Sequence, residues 1–84
     1  MSWKIEWSEE AFRDLIALNK PVYTRIIRKL EETQIDPQRF FQRLVGADDY
    51  KLRIGDYRVI ALLFLDRKTI FIEKVGHRSN IYKK

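Results

Sequence analysis

Apolar and polar residues alternate at the start of the chain. Trp3, Ile5 and Trp7 are separated by Lys4 and Glu6, the period of a half-buried edge strand. The period then changes. Ser8 suits a helix N-cap, and Glu9 and Glu10 fall in a first turn whose unpaired N–H groups favour negative charge. Ala11, Phe12, Leu15, Ile16 and Leu18 follow helical spacing until Asn19-Lys20-Pro21 interrupts it. Pro21 fits the first turn of a second helix, where its missing N–H would have had no partner. On that helix Val22, Ile26 and Leu30 form one row, with Tyr23 and Ile27 beside it. So short a link predicts an antiparallel helical hairpin. Asp36-Pro37 ends the second helix by residue 35, because a residue before proline avoids helical geometry. A short turn through Arg39, Phe40 and Phe41 and a connector, Leu44-Val45-Gly46-Ala47, come next.

Period two returns in the second half, predicting strands at about 49–54, 57–65 and 69–76. The middle one, YRVIALLFL, is apolar on both faces and reads as a central strand. Gly55-Asp56 suits a two-residue hairpin loop, which sets Ile54 against Tyr57 and Arg53 against Arg58. Leu52, Ile54, Tyr57, Val59, Ala61, Leu63 and Leu65 then share the face that meets the helices. Lys51, Arg53 and Arg58 point the other way, together with an apolar band of Ile60, Leu62, Phe64, Phe71 and Val75. If Arg67-Lys68 is the next loop, Arg58 lies opposite His77, with Arg78 beside it. The order predicts an α+β fold: an N-terminal strand, a two-helix antiparallel hairpin, then a three-stranded antiparallel meander.

Composition narrows the chemistry. The 84 residues suit one domain, 1–84, and at 45% hydrophobic they can build a core. The absence of cysteine removes disulfides, thiolate ligands and a cysteine nucleophile, and a single histidine makes a zinc site improbable. No apolar run approaches membrane-spanning length, and MSWKIEWSEE lacks a signal-peptide pattern, so a soluble cytoplasmic protein without membrane contact is expected. The net charge of +5 is unevenly placed. Residues 1–49 hold eight Lys/Arg against nine Asp/Glu, whereas residues 50–84 hold nine against three. A basic half of this kind favours a polyanionic partner, nucleic acid first.

Two arginines facing each other in a hairpin repel unless something neutralises them. Asp56 and Glu73 are the acidic candidates within the chain; a phosphate is the candidate outside it, since guanidinium forks match phosphate oxygens. YKLRIGDYRVI, the apolar strand that continues it, and VGHRSNIY resemble the RelE/ParE superfamily of bacterial and archaeal toxins, with the element order shared over nearly the whole chain. The resemblance implies a toxin of a type II toxin–antitoxin system, and in the RelE branch a ribosome-dependent endoribonuclease that cuts messenger RNA in the decoding A site without cofactor or metal. It implies Arg58, Arg78 and Tyr82 as catalytic residues: Arg58 stabilising phosphate charge, Arg78 a proposed acid, Tyr82 a proposed base for the 2′-hydroxyl. Lys51, Arg53 and His77 are implied as RNA- or phosphate-binding residues, with His77 a rival acid or base. Asp49 stands where that branch carries a further lysine, and the Arg78-to-Tyr82 spacing is two residues shorter than in the best-known form. Partners implied are a RelB-type antitoxin, the ribosome with its mRNA, and ribosomal RNA, contacted by Lys4, Arg25, Arg28, Lys29, Lys83 and Lys84. The ParE branch offers the alternative, a DNA gyrase inhibitor without RNase activity.

Overall fold

A computed structural model describes residues 2–81. Strand β1 (Lys4–Trp7) leads into helix α1 (Glu9–Ile16) and helix α2 (Lys20–Thr33), followed by a single 3-10 turn at Pro37–Arg39. Strands β2 (Gln42–Arg43), β3 (Tyr50–Ile54), β4 (Tyr57–Phe64) and β5 (Thr69–His77) complete the chain. The predicted α+β order is the observed one. The helix starts are explained by side-chain caps. Ser8 Oγ accepts from the Ala11 N–H at 3.0 Å, and Asn19 Oδ1 accepts from the Val22 N–H at 3.1 Å.

The sheet runs β1-β5-β4-β3-β2, mixed because β1 lies parallel to β5 while every other pair is antiparallel. The two-residue strand β2 escaped the sequence pattern, since Gln42 and Arg43 are polar and exposed and show no alternation. Helix α1 packs over β5 and α2 over β3. Between them and the sheet lie Ala11, Leu15, Ile26 and Leu30, facing Leu52, Ile54, Val59, Ala61, Ile70 and Ile72. Trp3 and Phe41 close the ends of this core. Phe12 and Ile16, on the far side of α1, are about half exposed.

The two hairpins of the meander differ. Gly55-Asp56 is the tight loop expected, with Ile54 paired to Tyr57 and Arg53 to Arg58. Gly55 takes φ +59°, the left-handed value that the twist of such a loop demands and that glycine adopts without strain. The second loop spans Leu65–Lys68, with Phe64 paired to Thr69, and a β-bulge interrupts the register between Ile60 and Ala61. Together these place Arg58 opposite Gly76 and Tyr57 opposite His77, so the expected Arg58–His77 pair is not formed. The bulge also turns Val75 into the core, where it is 3% exposed, and removes it from the apolar band expected on the other face. Leu65, placed by its loop, is exposed and does not meet the helices.

Candidate active site

At the turn end of the sheet, Lys51 on β3, Arg58 on β4 and the segment His77-Arg78-Ser79 line a shallow depression of about 410 Å³. Three separate stretches of chain thus bring Lys51, Arg58 and Arg78 to one place. Arg78 is tied down twice: its backbone N–H donates to the Asp56 carbonyl at 2.7 Å, and its Nε lies 3.6 Å from Asp56 Oδ1. Asp56 is thereby engaged and does not neutralise the hairpin arginines. Arg58 Nη1 donates to the Gly55 carbonyl at 2.8 Å and to the Tyr57 carbonyl at 2.9 Å, folding its guanidinium back over the turn. Among the described residues neither Lys51 nor Arg58 has a carboxylate within 4.0 Å. A pocket with unpaired cations and a guanidinium already fixed in position suits a phosphate group.

Arg53 does not join this depression. It lines a separate groove of about 470 Å³ between α2 and the hairpin, together with Arg25, Arg28, Lys29 and Glu32. The physical reason is the short β2, which pairs only with Tyr50 and Lys51 and leaves the β3 edge open at Arg53. Arg25 reaches in so closely that a Cβ on Gly55 would stand 2.8 Å from its Nη1. Lys29 is partly neutralised by Glu32 at 3.2 Å and lies over the Phe40 ring at 5.2 Å. His77 shares the face of its cross-strand partner Tyr57, the helix side of the sheet, and lines the depression from that edge. Tyr82, like Lys83 and Lys84, lies outside the described residues.

One pair of groups was not foreseen. Glu73, at the bulge, is pushed up to about 7 by burial first, then by a hydrogen bond to the Asp49 carboxyl and that group's negative charge, with Lys74 opposing the rise. Its Oε1 is buried without a partner. Burial and the neighbouring carboxylate both disfavour the charged form of Glu73, which is what the raised value expresses. The alternation of β5 carried the signal: Ile70 and Ile72 are core residues, but the next core residue is Val75, three positions on, which requires a bulge at Glu73-Lys74. Further along the same face, Leu62, Phe64 and Phe71 remain half-buried, with Phe64 and Phe71 6.5 Å apart and the Arg67 guanidinium 4.4 Å over Phe64. Strand β1 extends the sheet beyond β5 and does not cover this band.

The fold and the family are shared with known proteins. A family model for the ParE toxin of type II toxin–antitoxin systems matches residues 5–82. A candidate toxin of Methanocaldococcus jannaschii, RelE1, is 31% identical over 88 residues, covering 99% of this chain and 98% of the relative. Among solved structures, the RelBE2 toxin–antitoxin complex of Mycobacterium tuberculosis contains a chain that superposes with a TM-score of 0.83 at 22% identity, over 93% of this chain and 100% of that one. The archaeal RelE–RelB complex of Pyrococcus horikoshii gives 0.76 at 26% identity, over 95% and 99%.

Proposed function

From the premise that the chain belongs to the RelE/ParE superfamily and is a toxin of a type II toxin–antitoxin system, we propose that it is a ribosome-dependent endoribonuclease. It cuts messenger RNA in the decoding A site. The observation that carries this reading is the convergence of Lys51, Arg58 and Arg78 on one depression, with no carboxylate beside Lys51 or Arg58 among the described residues. The scissile phosphate sits there. Attack by the neighbouring 2′-hydroxyl forms a cyclic phosphate and breaks the bond to the 5′ oxygen. Arg58 and Lys51 neutralise the doubly charged phosphorane, which is the largest contribution a site of this kind makes. Arg78 stabilises the negative charge on the leaving 5′ oxygen, which takes up a proton from solvent water. A guanidinium holds its proton too tightly to act as a general acid, so charge stabilisation is its main role. Tyr82 follows four residues later in sequence and is assigned the 2′-hydroxyl proton.

Arg25, Arg28, Lys29 and Arg53 hold ribosomal RNA backbone in the second groove, so the ribosome orients a substrate that the protein alone binds weakly. The protein acts in the cytoplasm, where its substrate is. A RelB-type antitoxin, the partner present in the complexes of the relatives, covers the half-buried band of Leu62, Phe64 and Phe71 and the basic end of the sheet. A ParE-like gyrase inhibitor without RNase activity is the second reading. It is favoured by the family model that matches and by Asp49, which puts a carboxylate where the RelE pattern carries lysine. Toeprinting of programmed ribosomes with the purified protein separates the two. New 3′ ends in the decoding-site codon are expected; intact message at protein levels equal to the ribosomes, with gyrase inhibited instead, rejects the nuclease.

A further inference from the structure

We propose that His77 is a positioning residue: its neutral imidazole holds the turn that sets Arg78 beside the depression, and it transfers no proton to or from RNA. Two donors converge on its Nδ1, the Ser79 backbone N–H at 3.1 Å and the Ser79 hydroxyl at 2.8 Å. A backbone N–H can only donate, so Nδ1 is the acceptor and the ring proton sits on Nε2. The ring also meets Tyr57 edge-on, with centroids 5.4 Å apart and planes at 80°. Imidazole is therefore held from both sides, by the tail and by the cross-strand tyrosine.

The same residue organises the rest of the turn. The His77 carbonyl accepts from the N–H groups of Asn80 and Ile81, each at 2.9 Å. Ile81 folds back over Gly76, where an added Cβ would stand 3.2 Å from Ile81 Cδ1. The backbone of Arg78, inside this turn, is strapped to Asp56 of the neighbouring hairpin. The chain after β5 is thus bent across the sheet end and fixed at both sides of Arg78.

A proton on Nδ1 would set one N–H donor against another and add a positive charge to a neighbourhood that already holds Lys51, Arg58 and Arg78. Among the described residues, Asp56 is engaged by Arg78, Tyr57 is uncharged, and Glu10 and Asp14 of α1 lie on the other side of the turn, beside Asn80 and Ile81, with Lys74. A proton on Nδ1 is therefore incompatible with this turn. The structural half of this inference stands on the turn alone; its effect on cleavage rests on the nuclease reading above.

His77→Asn and His77→Ala test it together. Asparagine offers an acceptor close to the place of Nδ1 but does not titrate; alanine offers none. Amide exchange at Ser79, Asn80 and Ile81 is followed by NMR between about pH 5 and 8, the range in which imidazoles change charge. His77→Ala is expected to speed exchange at these amides about fivefold to tenfold, the worth of one net hydrogen bond. His77→Asn is expected to match the parent at neutral pH and to lose the parent's acceleration at acid pH. Single-turnover cleavage on ribosomes should follow the same order, His77→Asn keeping its rate without the acid limb of the parent. Equal exchange in the parent and His77→Ala overturns the proposal. So does a His77→Asn variant with a protected turn and a cleavage rate as low as that of His77→Ala, which would make the ring a proton carrier. A parent protein that cuts no message while the exchange pattern holds rejects the nuclease reading and leaves the turn standing.

Discussion

Arg53 and Arg58 are paired directly across the same tight loop, yet they serve different cavities. Arg58, on the central strand β4, stays over the turn beside Lys51 and Arg78. Arg53, on a strand whose outer edge is open past Lys51, lines the groove against α2 with Arg25 and Arg28. Register fixes which backbones face each other; the neighbours available at each edge decide where long side chains go. Repulsion between two opposed guanidiniums is relieved here by sending them to separate cavities.

The comparison is broken most forcefully by cutting out one arginine at a time. Arg58→Ala is expected to lower single-turnover cleavage about a hundredfold, as loss of a fixed donor to a developing phosphorane does. Arg53→Ala should leave that rate within about threefold once ribosomes are saturating, because a groove residue that binds ground and transition state alike changes affinity alone. Ribosome titrations of Arg25→Ala/Arg28→Ala sharpen the other half. Binding is expected to weaken about tenfold, and the slope of log affinity against log salt to fall by about 0.7 for each phosphate no longer neutralised. An unchanged slope would remove RNA backbone from the groove.

A third test uses charge of the opposite sign on the same face. Glu73 is held at about 7 against 4.5 for the free side chain, so the folded state keeps its proton longer than the unfolded one. The stability this contributes is complete below about 4.5 and is lost as pH rises through about 7. Glu73→Gln, which can donate to Asp49 without ionising, is expected to raise stability at pH 8 by on the order of 1–2 kcal/mol and to flatten that pH dependence. Denaturant melts at several pH values measure both. Least in size, Gly55→Ala is expected to cost about 1 kcal/mol, because alanine is strained at a positive φ and its methyl would displace Arg25. A neutral result there would mean that the loop is looser than its geometry implies.

Much of the architecture could be read along the chain because it is set by local chemistry. Ser8 and Asn19 cap helices through their own hydroxyl and amide, Pro21 starts α2, and Gly55 supplies the backbone angle that fixes the β3–β4 register. The β4–β5 hairpin was legible only in part. Its four-residue loop and its bulge shift the register in opposite senses, which moves His77 from Arg58 to Tyr57 yet still brings Arg78 to the depression. The three-residue step from Ile72 to Val75 was the available sign of the bulge. The Asp49–Glu73 pair and the destination of Arg53 depend on packing between distant segments and on the length of β2, which no local pattern encodes. Tyr82 is assigned from sequence resemblance alone.

The division between the two basic cavities is tested most directly by single-turnover cleavage of ribosome-bound message at saturating ribosomes, with Arg58→Ala and Arg53→Ala side by side. The account predicts a loss of about a hundredfold for the first and of less than about threefold for the second. Equal losses, or a larger loss for Arg53→Ala, would contradict it.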